Sequence, residues 1–380
     1  NNPYYYCMAF GNRLFMTGGD QSSGGKYPAI IAKSPPWFRA KTGSTRDYPY
    51  AVFDFEDSLP KKIGLPEYRV NTTSLNLILE GTLFYMRTLG TPVNMKIVYC
   101  SSPIKNGSKS IGLFGKNWHF AYETTVGQFG PEARIITTGG RSLTFTTPNG
   151  QDLDTATPAN PIALLPPAGF FDSLTFYGNG ERFEYFEKNT KNTYIYATDI
   201  DFIWHLDSVK DRNGNTVTFT VNKTNRQITS IRDPANRIVT LAYDDKNLCT
   251  GFAVPDGRTV SFSYDENKNL IGITDMAGYK ASYQYDELGF ITQMNTAGRI
   301  NKFSYEERSG NEENDSGTKQ ANDEKDKILV SVTNYQGKTT SYELLENNMG
   351  VQRTDPIGNK TTLSFNDGQT TQIKDPLGKI

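Results

Sequence analysis

From residue 207 onward the chain alternates apolar and polar positions in short runs. In "RTVSFSY" (258–264), Val260, Phe262 and Tyr264 fall on one side, with Thr259, Ser261 and Ser263 on the other. A period of two with polar partners predicts half-buried β-strand. Each such run is followed by a second short apolar segment and a turn signal, as in "RQITSIRDPA" (226–235) and "NLIGITDMAG" (269–278). The unit is therefore strand, tight turn, strand, tight turn. A unit of roughly twenty residues cannot close a core alone, whereas stacked copies can share one.

One turn position tracks the phase. Gly214, Asn236, Gly257, Gly278, Gly298, Gly337, Gly358 and Gly378 occupy it, at intervals of 22, 21, 21, 20, 39, 21 and 20 residues. Seven positions later comes an aromatic residue (Tyr243, Tyr264, Tyr285, Tyr305, Phe365), with Val221 and Leu344 in two less regular copies. In "DRNG" (211–214), "DPIG" (355–358) and "DPLG" (375–378) the aspartate can accept from the backbone two residues on. Proline presets its φ there, and glycine tolerates a positive φ at the end. Asn236 in "DPAN" is the substitution that a left-handed position accepts most readily. Asp244, Asp265 and Asp286, each after a repeat tyrosine, read as turn acceptors in the same way.

The 39-residue interval holds one repeat plus the insertion "SGNEENDSGTKQANDEKDK" (309–327), whose composition predicts a mobile, solvated loop. It lacks the acidic spacing of a dedicated calcium loop. The last repeat stops at Ile380, inside its expected strand, so the chain reads as the front piece of a longer array.

The first two hundred residues keep no period. "TSLNLILEGTLFYMR" (73–87), "VNMKIVY" (93–99), "ARIITTGGRSLTFTT" (133–147) and "FDSLTFYGNGERFEYFE" (171–187) predict strands, the last a hairpin across Gly-Asn-Gly. "YPYAVFDFED" (48–57) predicts one strand, and "TGGDQSSGGK" (17–26) is turn-rich. "PANPIALLPPAG" (158–169), interrupted by prolines, predicts a loop or edge connection. No segment longer than about ten residues carries a helical stripe. The divisions are an irregular or β segment at 1–70, a non-repetitive β module at 71–200 and the repeat array at 201–380.

Composition narrows the function classes. Charged residues form 21% of the chain and the net charge is −1, which leaves no basic footprint for nucleic acid. Tyr and Phe, 22 of each against 7 Met, favour sheet. No run of 18 apolar residues is present to span a membrane. Cys7, Cys100 and Cys249 form no CxxC pair, and Cys100 and Cys249 read as buried small hydrophobes.

No catalytic, cofactor or metal-ligating set stands out along the chain. His119 and His205, the only histidines, each follow a tryptophan and read as satisfied structural imidazoles. No HxH or HxxxH supplies zinc ligands. A Cys100–His119 nucleophile pair lacks any flanking pattern. Asp54, Glu56 and Asp57, and likewise Glu184 and Glu187, give no sign of facing each other across a sugar at about 5–10 Å. "GLFGKNW" (112–118) lacks the GK[ST] ending of a phosphate loop. Exposed rings beside Asn and Asp would suit surface glycans, although cross-strand pairing explains more of them.

Residues 264–299, "YDENKNLIGITDMAGYKASYQYDELGFITQMNTAGR", resemble the YD repeat of the Rhs family, which is also found in toxin-complex shells and teneurins. "DSVKDRNGNTVTFTVN" (207–222) is similar to the entry of that array. Residues 98–123 are similar to the module that precedes it, matching at Gly112, Phe114, Gly115, Trp118, His119 and Tyr122 and departing at Cys100 and Asn117. Within the array, Tyr305-Glu306 and Phe365-Asn366 depart from Tyr-Asp. The resemblance implies an all-β fold, a spiralling antiparallel hairpin strip with a non-repetitive β front cap. It implies that the Tyr-Asp pairs pack strands and hold turns. It implies a non-enzymatic shell segment of a large secreted or cell-surface protein, with no cofactor. The implied partners are further repeats, a C-terminal cargo domain or another shell subunit. The alternative is an adhesive, glycan-binding strip that uses exposed aromatic residues.

Overall fold

A computed structural model describes residues 6–10, 13–17, 29–30, 63–71, 75–101, 111–136, 142–167, 170–200, 202–307, 327–345, 350–366 and 369–379. The strand expected at 48–57, the turn-rich 17–26 beyond Thr17, the acids Asp54, Glu56 and Asp57, the Cys7 side chain and the insertion up to Asp326 lie outside them.

Strands β1 (Tyr6–Phe10), β2 (Arg13–Thr17) and β3 (Ala29–Ile30) form a small sheet. Then come β4 (Glu67–Asn71), β5 (Asn76–Met86), β6 (Val93–Cys100), the short pair β7 (Ile111–Gly112) and β8 (Gly115–Lys116), and β9 (Trp118–Phe120). Strands β4, β5, β6 and β9, in that order, make a four-stranded front sheet.

All later strands belong to one antiparallel sheet of 22. Its first eight are β10 (Thr125–Phe129), β11 (Glu132–Ile136), β12 (Ser142–Thr146), β13 (Ile162–Leu164), β14 (Ser173–Phe176), β15 (Phe183–Glu187), β16 (Asn192–Ile200) and β17 (Ile203–Lys210). Thr125–Gly127 of β10 also pair with Ile203–His205 of β17, which closes these eight into a barrel. Eight strands leave an interior just wide enough for side chains. Phe145, Phe176, Phe183, Tyr196 and Trp204 are all fully buried, with Phe176 stacked on Phe183 at 4.2 Å. This packed interior is a core rather than a cavity.

Strand β17 pairs with β16 along one edge and with two strands in turn along the other. Its first half seals the barrel against β10, and Ser208–Lys210 pair with Thr216–Thr218 to begin the strip. The strip continues with β18 (Thr216–Val221), β19 (Ile228–Arg232), β20 (Ile238–Tyr243), β21 (Cys249–Ala253), β22 (Thr259–Tyr264), β23 (Leu270–Thr274) and β24 (Lys280–Tyr285). It ends with β25 (Ile291–Thr296), β26 (Arg299–Glu307), β27 (Lys327–Thr333), β28 (Thr339–Leu344), β29 (Gly350–Thr354), β30 (Lys360–Asn366) and β31 (Gln369–Lys374). Every strand pairs with its chain neighbours, as hairpin repeats require. The turn positions tracked in sequence take φ between 64° at Asn236 and 90° at Gly358.

Two details differ from the sequence reading. Residues 162–164, expected to be loop or edge, form strand β13, which pairs with β14 and is bridged to β12 through Thr146 and Leu165. The prolines flank the strand (Pro161, Pro166) and take no ladder position within it. Lys327, counted with the insertion, instead starts β27 opposite Glu307 and places its ammonium 2.8 Å from the Asp286 carboxylate.

Candidate functional site

The repeat tyrosines share one geometry. Between β21 and β22 the ladder stops at Gly251–Ser261, two residues short of Cys249. The Tyr264 hydroxyl reaches into the gap and donates to the Cys249 carbonyl at 2.7 Å. The neighbouring copies repeat this: Tyr243 donates to Ile228 and Tyr285 to Leu270, both at 2.7 Å, and Tyr305 to Ile291 at 2.9 Å. On its other side each of the four tyrosines sits at a register shift, such as Ser263/Tyr264. The extra residue lies on the facing strand, Ile271 in the Tyr264 copy, and such a bulge bends its strand and locally interrupts the ladder. The ring thus fills the wedge where adjacent strands part, and its hydroxyl satisfies a carbonyl beyond the ladder's end.

The following aspartates close the next turn. Asp244 Oδ1 accepts from the N–H groups of Lys246 and Leu248, Asp286 Oδ1 from Leu288 and Phe290, and Asp265 Oδ1 from Asn269. No two of these carboxylates are brought together, since each serves its own turn.

The strip turns its apolar face to the front sheet. Val260, Phe262, Leu270, Ile273, Ile291 and Met294 are buried there, while Thr259, Ser261 and Ser263 stay exposed. Rings of the front module cross it in sequence: Tyr122 on Phe219 (4.7 Å), Phe114 on Phe262 (4.9 Å), Trp118 on Tyr283 (5.1 Å) and Tyr68 on Phe303 (5.4 Å). Trp118 Nε1 also donates to the Tyr285 hydroxyl at 3.0 Å. Backbone bonds stitch the two layers, with Cys249 N–H donating to Leu113 O at 2.7 Å and Leu329 N–H to Leu75 O at 2.9 Å. Burial raises the Tyr243, Tyr264, Tyr285 and Tyr305 hydroxyls far above the ordinary phenol range, so all four stay protonated donors.

Glu123, which sequence reasoning passed over, anchors the front loop. Its Oε1 accepts from Leu113 N–H at 2.7 Å and its Oε2 from Phe120 N–H at 2.6 Å. Part of the residue's surface remains accessible, yet desolvation of the carboxyl outweighs both bonds and pushes it up to about 7. A folded value above the unfolded one means that Glu123 contributes stability fully below about 4.5 and loses that contribution as pH rises through about 7. Glu123→Gln is therefore expected to gain thermal stability relative to the wild type as pH is raised from 5 to 8, as read by Tm across that range. Parallel Tm curves for the two proteins would contradict this.

The other candidates find structural surroundings. Burial lowers His119 to about 4; it does the same to His205, which the Arg226 charge pushes in the same direction. His205 departs from the expectation of a satisfied ring, because its Nε2 and the adjacent Trp204 Nε1 are buried without hydrogen-bond partners. Cys100 packs with Ile78 and Val98, and His119 stands opposite Val98. Burial pushes the Cys249 thiol up to about 12. Glu184 accepts from Arg182 and Tyr177, and Glu187 from Thr190 and Tyr194. Among the described residues no group of three or more His, Cys, Asp or Glu is placed to hold a metal ion. Among them, no helix is long and apolar enough to cross a membrane.

Comparison with known proteins gives one family match: residues 264–299 match the RHS Repeat. No curated protein matches the chain. Among solved structures, a mutant Photorhabdus luminescens Tc holotoxin pore is 12% identical with a TM-score of 0.30, covering 76% of this chain and 18% of that one. The TcdB2-TccC3 crystal structure is 10% identical with a TM-score of 0.30, covering 78% of this chain and 20% of that one. This chain thus spans about a fifth of the length of either. The repeat match falls on the copies centred on Tyr264 and Tyr285, and the copies on either side carry the same tyrosine-to-carbonyl bond. Residues 264–299 thus carry the RHS Repeat, set within an all-β strip of antiparallel hairpins.

Proposed function

We propose that this chain is a wall segment of a hollow shell, with residues 201–380 as the wall and residues 71–200 as the module that lines and caps its start. One observation carries this reading: fourteen successive strands, β18 to β31, stay in a single antiparallel ladder whose repeat tyrosines all serve the backbone. Repetition without a unique side-chain constellation suits a barrier, since a working site would have to interrupt it. On this reading the parent protein is secreted or displayed at a cell surface, and its shell encloses a C-terminal domain. Further repeats, that domain or another shell subunit are the partners.

The alternative of an adhesive strip has less support. The hydroxyls of Tyr243, Tyr264, Tyr285 and Tyr305 are committed to carbonyls, and their rings pack against the core. Limited proteolysis of the full-length parent, beside its isolated C-terminal domain, tests the enclosure. The domain is expected to resist cleavage within the parent and to be cut when isolated. Equal cleavage in both would contradict the reading.

A further inference from the structure

Three connections, the first nearly a hundred residues before the other two, converge on a cleft of about 760 Å³. They are the β5–β6 tip (87–92), the β15–β16 turn (189–192) and the start of the β17–β18 turn (211–213). Each comes from a different part of the molecule: the front sheet, the barrel and the entry to the strip.

The cleft carries three cations, Arg87, Lys191 and Arg212, and a single acid, Asp211. That acid is already engaged. Asp211 Oδ1 accepts from the N–H groups of Asn213 and Asn215, both at 2.8 Å, and Oδ2 from the Asn215 amide at 2.9 Å. None of the three cations has an ion-pair partner among the described residues. Three cations against one carboxylate leave the lining with a net positive charge.

The walls are fixed against one another. Thr91 Oγ1 donates to Asn192 Oδ1 at 3.0 Å, joining front sheet to barrel. The Asn215 amide donates to Leu89 O at 3.2 Å, joining strip to front sheet. Gly90 packs so closely on the Asp211 side chain that a Cβ would stand 2.6 Å from its Oδ2. A site assembled in advance loses little entropy when a ligand arrives.

We propose that this cleft binds an acidic oligosaccharide. Guanidinium groups fork onto carboxylate or sulfate oxygens. The Asn189 and Asn213 amides can both donate to and accept from ring hydroxyls, and Tyr85 offers a flat apolar surface. The volume lies within the range typical of small-molecule sites. An acidic peptide, which arginine clusters also recognise, is the competing occupant that the titration below separates. This proposal concerns the turns of the front end, so it stands or falls separately from the wall reading.

Calorimetric titration of the full chain with trigalacturonate, maltotriose and hexa-aspartate tests it. Trigalacturonate is expected to bind at least about tenfold more tightly than either of the others, and to weaken as salt is raised. Combining Lys191→Glu with Arg212→Glu is expected to lower that affinity by about tenfold or more with Tm unchanged, while Lys191→Arg retains binding. Three results would overturn the proposal: no heat with trigalacturonate, equal affinity for hexa-aspartate, or full affinity in the charge-reversed double variant.

Discussion

Trp118→Ala is expected to destabilise the protein by about 3–5 kcal/mol, the usual cost of removing a fully buried large ring. Trp118 is wholly buried, with Tyr283 at 5.1 Å and Tyr99 at 5.5 Å between ring centroids. It is also the one front-module ring that donates a side-chain hydrogen bond to a repeat tyrosine among the described residues, through Nε1 to Tyr285. Removing it opens a cavity between the layers, which the ladders on each side prevent from collapsing. The loss is expected as a lower guanidinium midpoint, together with faster amide exchange at Cys249 and Leu329, whose N–H groups bond to the front module. An unchanged midpoint would mean that the front sheet does not pack on the strip.

Tyr264→Ala is expected to cost about 2–4 kcal/mol, because both the wedge-filling ring and its hydrogen bond disappear. Tyr264→Phe isolates the hydroxyl: it keeps the ring and leaves the Cys249 carbonyl without its 2.7 Å donor, for a loss of about 0.5–1.5 kcal/mol. The same pair of substitutions at Tyr285 should follow the same order, since its hydroxyl meets Leu270 O at the same distance. Tyr279, on a turn and 62% exposed, is the internal control, and its replacement by alanine should change stability by less than about 0.5 kcal/mol. Equal effects at Tyr264 and Tyr279 in chemical denaturation would remove the wedge from the account.

Much of the strip was legible before any coordinates. The alternation around Val260, Phe262 and Tyr264 predicts a one-sided strand, and the glycine at each turn predicts a positive φ. Both signals are local, so they survive without knowledge of neighbours. The tyrosine's task was not legible, because it depends on where two ladders stop. That is a matter of register between strands rather than of residue type. Barrel closure was hidden for the same reason, with Val126 meeting Trp204 across nearly eighty residues.

Other features were concealed by composition. Prolines at 161 and 166 masked strand β13, although both lie outside its three residues. Lys327 looked like the last residue of a charged insertion, and only its strand partner Glu307 and its carboxylate partner Asp286 reveal its place. Glu123 had one signal, a lone acid directly after the aromatic run "WHFAY". The cationic cleft had none, because its first wall stands nearly a hundred residues of chain before the other two.

Hydroxyl-radical footprinting of the tyrosines tests most directly whether neighbouring hairpins share one covered face. Tyr264, Tyr283, Tyr285 and Tyr305 are expected to be modified slowly, whereas Tyr279 and Tyr335, which are 62% and 52% exposed, should be modified fast. Modification of Tyr264 and Tyr285 at the rate of Tyr279 would show the repeat rings facing solvent and would contradict the shared core.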